Sequence, residues 1–256
     1  MKPFFSCVVA VKGPRPYFDA ALASLAGQGL GDDLEVIVQD GDVEPDAGLS
    51  DAFNTGFAKS RGEWLFWLNA DDVLLPGALR AVRERAEADA AASWIAGNVA
   101  FIDAAGRVLS CAADRGSRLA FEGLPVQVYG PSSFFRRSLL AACGGFDVGL
   151  RSCMDSDLWT RFRENGYWYR RLNRYVWGFR RHDGSRTKSD HKPVGEQARQ
   201  GEEAAAMHRR HGLSMSPACY LRARAVRLFD GSYLRSALDT LRYRGRHYEA
   251  IYGGFA

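Results

Sequence analysis

The sequence predicts an α/β fold in which helices flank a mixed sheet, with a Rossmann-like first half and a basic helical C-terminal extension. Three observations predict it. Apolar runs alternate with helical segments up to about residue 92, as in a sheet wound with helices. A hairpin signal then breaks this alternation near residue 103. Finally, the stretch from Arg209 to His247 contains nine arginines but only two acidic residues.

The first half contains three apolar runs that we interpret as strands, over residues 4–11, 34–38 and 64–68. The first run is almost wholly apolar, which is typical of a strand covered on both faces. Helical segments over 17–28, 50–59 and 76–92 follow the three runs, with apolar residues three or four positions apart. This order predicts parallel strands whose carboxyl ends meet at one edge of the sheet.

The second half predicts a hairpin of strands 94–102 and 107–111, joined by residues 103–106. The remaining predicted elements are a strand over 126–135 interrupted at Gly130-Pro131, helices over 137–142 and 155–165, strands over 168–172 and 176–180, a polar and mobile segment over 184–195, and basic helices from 196 broken at 212–217 and at Gly231. We therefore expect one domain over 1–188, in halves 1–92 and 93–188, followed by a linker and helical extension over 189–256.

The composition excludes several classes of protein. With 256 residues, 46% hydrophobic and 25% charged, the chain is typical of a globular protein rather than of a disordered, collagen-like or coiled-coil one. The longest uncharged stretches are 13 residues, too short to cross a bilayer as helices. No cleavage site follows the first apolar run, so we expect a protein that stays in the cytoplasm. Five cysteines with no C-x-x-C pair disfavour a disulfide framework and a zinc site, and predict reduced thiols.

Acidic side chains follow the second and third predicted strands. Asp40 comes after the second strand, and Asn69, Asp71 and Asp72 come after the third. Ligands of open α/β sheets bind outside the carboxyl ends of the strands, and carboxylates there can hold a divalent cation. The alternative is that Asp40 makes a turn and that Asp72 caps the helix that follows.

Two further clusters lie in the second half. Asp155 precedes the apolar face of a predicted helix, where it acts either as an N-cap or as a general base. Arg180 and His182 follow the last predicted strand, where they are either ordinary surface residues or ligands of an anion or a metal.

Taken in order, these clusters resemble the bacterial polysaccharide-type members of the family 2 glycosyltransferases, which have the GT-A fold. The closest stretch is Glu-Pro-Asp-Ala-Gly-Leu-Ser-Asp-Ala-Phe-Asn-Thr-Gly-Phe at 44–57, which leads into Gly-Glu-Trp-Leu-Phe-Trp-Leu-Asn-Ala-Asp-Asp at 62–72. The second half adds Ser-Phe-Phe-Arg-Arg at 133–137, Gly-Gly-Phe-Asp at 144–147, Asp-Ser-Asp-Leu-Trp at 155–159 and Phe-Arg-Arg-His at 179–182. The resemblance covers residues 4–188.

The resemblance implies an inverting, metal-dependent transfer from a nucleotide-diphosphate sugar to a saccharide or lipid-linked saccharide hydroxyl, in cell-surface polysaccharide or glycolipid synthesis. Residues 1–92 would bind the nucleotide-sugar and 93–188 the acceptor. Asp155 would be the catalytic base. The implied ligands of the nucleotide-sugar are Val11, Asp40, Asp51, Asn54, Asn69 and Arg180, and those of Mn²⁺ or Mg²⁺ are Asp71, Asp72 and His182.

The sequence departs from the family pattern in three places. Residues 12–14 are Lys-Gly-Pro where the family has an early Pro-Thr-Tyr-Asn-like turn, and residues 39–43 run almost directly into Glu44 where the family has a longer loop. Asn69 takes the place of the first acid of the family's Asp-x-Asp element. The first two departures concern the base of the nucleotide, and the third concerns metal affinity.

Two other functions are compatible with this fold. A catalytically silent binding or scaffold subunit is disfavoured because Asp71, Asp155 and His182 are all retained. A nucleotidyltransferase that makes sugar nucleotides would carry a Gly- and Arg-rich loop with a lysine after the first strand, which residues 11–16 match only faintly. Neither alternative, nor the leading one, implies a nucleic-acid partner.

The C-terminal extension carries Leu221, Ala225, Leu228 and Phe229 at helical spacing among arginines. Basic amphipathic helices lie on anionic bilayers, so we expect this stripe to bring the protein to the inner face of the membrane as a peripheral protein. The alternative is that the stripe packs against the catalytic domain and that the arginines are simply solvated.

Overall fold

The computed structural model describes residues 2–114, 116–184 and 194–254. In these residues eight strands form one sheet, and eight helices accompany it. The strands are β1 (Phe5–Val11), β2 (Leu34–Asp40), β3 (Trp64–Asn69), β4 (Val73–Leu74), β5 (Trp94–Ile102), β6 (Val108–Ala112), β7 (Ser133–Arg136) and β8 (Arg170–Arg180). The helices are α1 (Phe18–Ala26), α2 (Leu49–Lys59), α3 (Ala78–Ala88), α4 (Arg137–Cys143), α5 (Met154–Glu164), α6 (Val194–Arg210), α7 (Pro217–Phe229) and α8 (Ser232–Tyr243).

The sheet is mixed, as predicted, with the strand order β2-β1-β3-β7-β5-β8-β4 and with β6 paired to β5. Strand β1 runs parallel to both β2 and β3, whereas β7 runs antiparallel to β3 and β5. In this register Val11 lies opposite Asp40, and Ala10 lies opposite Asn69. The carboxyl ends of the first three strands therefore meet at one edge.

Both faces of the sheet are covered. On β3, Leu65 and Trp67 point into one apolar cluster while Trp64, Phe66 and Leu68 point into the other, which explains why this strand is apolar at successive positions. In the first cluster the ring of Trp159 from α5 lies between those of Trp67 and Trp94, with centroids 5.8 and 4.9 Å away. All five cysteines are free thiols, as predicted.

The predicted strand over 126–135 is wrong in its first half, because β7 begins only at Ser133, after a 3-10 turn over Gly130–Ser132. Side chains of α5 form hydrogen bonds with backbone groups that would otherwise pair with a neighbouring strand. Trp159 Nε1 donates to the carbonyl of Val128 at 3.0 Å, and the N–H of Val126 donates to Thr160 Oγ1 at 3.2 Å. Gly130 also packs so closely on Trp67 that a Cβ there would lie 2.3 Å from the indole ring.

The predicted pair of short strands over 168–172 and 176–180 is also wrong, because the structure has a single strand, β8. Its register against β5 shifts between Ala96 and Val99, so the chain bulges there without ending the strand. The shift, rather than a turn, accounts for the change in sequence pattern near Asn173.

The C-terminal extension consists of three helices whose breaks lie where the sequence predicts them. Helix α6 ends at Arg210, α7 begins at Pro217, and Gly231, with φ of +73°, separates α7 from α8. Of the predicted mobile segment over 184–195, within which the predicted linker begins at 189, residues 185–193 lie outside the described residues. Among the helices that the structure describes, none is long and apolar enough to cross a bilayer.

Candidate active site

Hydrogen bonds and one ion pair connect the chain segments that follow β1 and β2 at this edge of the sheet. The N–H of Gly41 donates to the carbonyl of Val11 at 2.9 Å. Asp40 accepts the N–H of Asp42 at 3.0 Å, so it does make the turn that the alternative interpretation assigned to it. Its other oxygen is 2.6 Å from the guanidinium of Arg15, and this hydrogen bond is the largest cause that lowers the pKa of Asp40. Asp40 therefore presents a paired, ionised carboxylate at the edge.

Asp72 is buried beneath the same edge. Asn69 Nδ2 donates to its Oδ2 at 2.7 Å, and the N–H of Arg180 donates to its Oδ1 at 2.8 Å. Burial, followed by the charge of Asp71, raises the pKa of Asp72 well above its usual range. Helix α3 begins only at Ala78, so the alternative that Asp72 caps this helix is wrong. Through these two hydrogen bonds, the carboxylate of Asp72 connects the end of β3 to β8. Of the three predicted metal ligands, only Asp71 and His182 are accessible.

Asp71 and His182 meet above this buried joint, with Nε2 of His182 3.0 Å from Oδ2 of Asp71. The ring of Tyr17 lies against His182, with centroids 4.8 Å apart, and the guanidinium of Arg180 lies 4.7 Å from the Tyr17 ring centroid. Arg180 is itself buried and donates to the carbonyls of Asp71 and Ala104, both at 2.9 Å. Residues from the ends of β1, β3 and β8 thus converge.

An open depression of about 460 Å³ lies beside His182. Its lining consists of Pro16, Tyr17, Asp103, Ala104, Arg181, His182, Asp183 and Gly184. The volume is in the range of small-molecule sites. Tyr17 and Arg181 were missed in the sequence analysis, which assigned Tyr17 to a helix. Applying the strand-end rule to β1 as well as to β2 and β3 would have drawn attention to Tyr17.

Asp155 lies in the first turn of α5, whose N-cap is Cys153, so the alternative that Asp155 is the cap is wrong. Its carboxylate accepts the N–H of Ser156 at 2.8 Å, and burial raises its pKa to about 6. The preceding residue, Met154, contacts α2, because Ser50 Oγ lies 3.1 Å from Met154 Sδ and donates to the carbonyl of Leu150 at 2.7 Å. The first turns of α2 and α5 therefore lie together.

The two predicted nucleotide ligands on α2 make different local contacts. Asp51, next to Ser50, accepts the N–H of Ala47 at 3.0 Å. Asn54 exchanges two hydrogen bonds with the backbone of Phe146, with its Nδ2 2.8 Å from the carbonyl and its Oδ1 2.9 Å from the N–H. Asn54 thus joins α2 to the loop before α5.

Helix α6 supports the start of α5, a relationship that the sequence analysis missed. Glu203 accepts the N–H groups of Ser152 at 2.7 Å and Cys153 at 3.0 Å. Farther along, Arg210 pairs with Asp147 at 2.6 Å, and His211 pairs with Asp157 at 2.9 Å. About fifty residues separate Glu203 from the N–H groups that it accepts, so no local pattern indicates the contact.

The donor set at Asp71 and His182 fits a divalent cation that is shared with a phosphate ligand. No group of three or more His, Cys, Asp or Glu side chains suited to a metal occurs within the part of the chain that the structure describes. Mg²⁺ and Mn²⁺ sites in phosphate-transferring proteins use one or two carboxylates plus phosphate oxygens and water. One carboxylate and one imidazole, completed by phosphate oxygens and water, are consistent with such a site.

Residues 43–140 match the family model described as Glycosyl transferase family 2, which supports the resemblance to this family over that stretch. No curated protein matches the chain.

Several solved structures share the fold. S. aureus TarS 1-349 in complex with UDP-GlcNAc is 14% identical over 92% of this chain and 76% of that chain, with a TM-score of 0.61. The mannosyltransferase PcManGT from Pyrobaculum calidifontis, in complex with GDP-Man and Mn²⁺, is 19% identical over 93% and 79%, with a TM-score of 0.54. The chain spans only 36% of a longer TarS structure, at 17% identity and a TM-score of 0.53. These likenesses show the GT-A fold.

Proposed function

We propose that this chain, which resembles the family 2 glycosyltransferases in its motifs and has the GT-A fold, transfers a sugar from a nucleoside-diphosphate sugar to an acceptor hydroxyl with inversion. The observation that carries the proposal is the contact between Asp71 and His182, 3.0 Å apart although 111 residues separate them in the chain. The pair lies at the strand-end edge, where ligands of open α/β sheets bind, and its His182 lines the depression described above.

The donor diphosphate would bind at this pair. Asp71 and His182 would hold Mn²⁺ or Mg²⁺, and such a cation supplies counter-charge to a departing diphosphate. Arg180, buried against Tyr17, fixes the backbone of Asp71 and so keeps the pair in place. The loop after β2, held by Asp40 and Arg15, would face the nucleotide base.

The predicted donor ligands fall into two groups by what their side chains do in the fold. Asp40 and Asp51 accept the N–H groups of nearby loop residues. Asn54, Asn69 and Arg180 instead use their own N–H groups to bond to other parts of the fold. We assign the second group, together with Val11 at the end of β1, to shaping the pocket, because their polar atoms hold neighbouring elements together.

Asp155 would take the acceptor proton. The acceptor oxygen attacks the anomeric carbon, the bond from that carbon to the diphosphate oxygen breaks on the opposite face, and the hydroxyl proton passes to Asp155. A pKa of about 6 leaves Asp155 largely ionised at neutral pH and close to the optimum for a general base. Displacement on the face opposite the leaving group inverts the anomeric configuration.

The acceptor would be a saccharide or lipid-linked saccharide of cell-surface polysaccharide or glycolipid synthesis, handled in the cytoplasm or at the inner face of the membrane. The support for this class is the resemblance of residues 44–57 and 62–72 to polysaccharide-type members of the family.

A panel of UDP-, GDP- and dTDP-sugars, with and without Mn²⁺, tests the proposal. We expect one donor to raise the thermal stability, because a ligand at 100 times its Kd adds about 2.7 kcal/mol, and to release a nucleoside diphosphate. Asp155→Asn should keep the stabilisation and lose transfer. Release of pyrophosphate from a nucleoside triphosphate and a sugar 1-phosphate, supplied in place of the donor, would instead identify a nucleotidyltransferase. Binding of no donor would indicate a silent scaffold subunit.

A further inference from the structure

Helix α8 presents its polar side to the protein and its leucines to solvent. Toward the sheet, Ser236 Oγ accepts the N–H of Ala113 and Thr240 Oγ1 accepts the N–H of Cys111, both at 2.9 Å, so the helix covers β6 with hydroxyl groups. On the outside lie Leu234, Leu238 and Leu241, which are 65, 55 and 80% exposed. Their spacing of four and then three residues places them in one stripe.

Helix α7 adds apolar side chains at the turn into α8. Leu228 is 68% exposed and Phe229, the last residue of α7, is 92% exposed. The helix packs through Cys219 and Ala223 instead. The alternative that the predicted apolar stripe of α7 belongs to the core is therefore wrong for these two residues. We call Leu228, Phe229, Leu234, Leu238 and Leu241 the outer apolar surface.

The charge of this helical pair is strongly one-sided. Between residues 213 and 247 there are seven arginines and only two acids. Both acids are engaged within the fold: Asp239 is buried and accepts the hydroxyl of Tyr175 at 2.7 Å, and Asp230 accepts the N–H of Ser232 at 2.8 Å. Arg224, Arg242, Arg244 and Arg246 are exposed. The outer apolar surface is thus accompanied by positive charge.

We infer that the outer apolar surface docks on an anionic lipid bilayer. A helix with leucines on one side and arginines nearby lies in the plane of a membrane interface, where apolar burial and attraction to acidic head groups act together. A second copy of this chain fits less well, because a two-fold interface places the same patch against itself and brings the arginines together. The inference needs no sugar transfer, since vesicle binding and transferase activity can fail separately.

Co-sedimentation of the full chain with vesicles tests this inference. We expect binding to phosphatidylcholine vesicles that contain 30% phosphatidylglycerol, little binding to pure phosphatidylcholine, and release as salt rises. Arg242→Gln/Arg244→Gln should weaken binding about thirtyfold, the loss expected for two charges near an anionic surface. The matched control, Arg80→Gln/Arg209→Gln, removes two exposed arginines elsewhere and should retain most of the binding.

Leu238→Ser/Leu241→Ser tests the apolar part and should weaken binding at least tenfold. Val36→Ser, which changes a partly exposed apolar side chain on edge strand β2 at the far end of the sheet, should not. An unchanged thermal unfolding transition in the leucine variant shows that the fold is retained. Two results overturn the inference: equal binding of this variant and the wild type, or a wild-type dimer that the same substitutions dissociate and that does not sediment with vesicles.

Discussion

The carboxylate of Glu203 on α6 accepts the backbone N–H of Cys153, the N-cap of α5, at 3.0 Å. The C-terminal extension thus contacts the chain two residues before the proposed base, Asp155. Burial alone would raise the pKa of Glu203, but the N–H groups of Arg151, Ser152 and Cys153 outweigh it and lower that pKa. The extension therefore holds the start of α5, which carries Asp155, in place.

We therefore expect Glu203→Ala to lower the stability and the turnover number together. Loss of hydrogen bonds to a charged acceptor costs about 1–3 kcal/mol. A displaced α5 should lower kcat more than it raises the KM of the donor. Because the folded-state pKa of Glu203 is lowered, its contribution is present above the unfolded pKa and is lost as pH falls, so the two proteins should converge in stability in acid. Chemical denaturation at pH 7.5 and pH 4 measures this.

Glu202→Ala is the matched control, because Glu202 is the exposed neighbour on the same helix. It should leave both the free energy of unfolding and kcat close to those of the wild type. A Glu203→Ala protein with wild-type kcat would show that the contact does not position Asp155.

Asp155→Asn should lower transfer by about 10²–10⁴-fold while leaving the donor Kd almost unchanged, because an amide cannot take the acceptor proton. The wild-type rate should rise with pH through about 6, since burial raises the pKa of Asp155 to about 6 and only the carboxylate is a base. The residual rate of the variant should lack this step. The dependence of the transfer rate on pH, measured for both proteins, tests this assignment. The same rise of the rate near pH 6 in the variant would show that another group titrates there.

The first three strands and their helices could be predicted because β1 and β3 are buried along almost their whole length and each helix has one buried side. Strand β2, at the edge of the sheet, is apolar enough to be predicted although Val36 and Val38 are partly exposed. The segment before β7 could not be predicted, since its backbone groups are satisfied by Trp159 and Thr160 on a helix that comes later in the chain. The spacing of apolar residues indicates which side chains are buried. It does not indicate which distant side chain forms the hydrogen bond with a given backbone carbonyl or N–H group.

The same limit applies to the site. The strand-end rule and the motifs indicated Asp71, Asp155 and His182, but they did not separate Asp71 from Asp72. Only the packing shows that Asp72 is buried and bonded to Asn69, while Asp71 faces His182. Glu203 was missed for a related reason, because its partners are backbone N–H groups that carry no sequence signal.

Asp71→Ala should weaken donor binding and abolish its stimulation by Mn²⁺, because the diphosphate loses the carboxylate that would hold its counter-ion. Calorimetric titration of the donor with and without Mn²⁺ measures both effects. Asp46→Ala, which removes a carboxylate bonded to the N–H of Gly48 in the loop before α2, should retain the stimulation. Full wild-type activity in excess chelator would contradict a metal role for Asp71 and His182.

Asn69→Asp should destabilise the fold at neutral pH, although it restores the acid that the family pattern has at this position. Asn69 Nδ2 donates to the buried carboxylate of Asp72 at 2.7 Å, and the substitution replaces this donor with a second negative charge. The lost donor alone costs about 1–3 kcal/mol. Two carboxylates in contact share a proton, so the folded-state pKa of the pair is raised; the folded state is then favoured at low pH and loses stability as pH rises through that pKa. The loss of stability relative to the wild type should thus be largest near pH 8 and shrink toward pH 4.

Asn173→Asp, at an exposed position on β8, is the matched control and should show no such pH-dependent loss of stability. Equal stability of Asn69→Asp and the wild type at pH 8 would mean that Asp72 is held by the N–H of Arg180 alone.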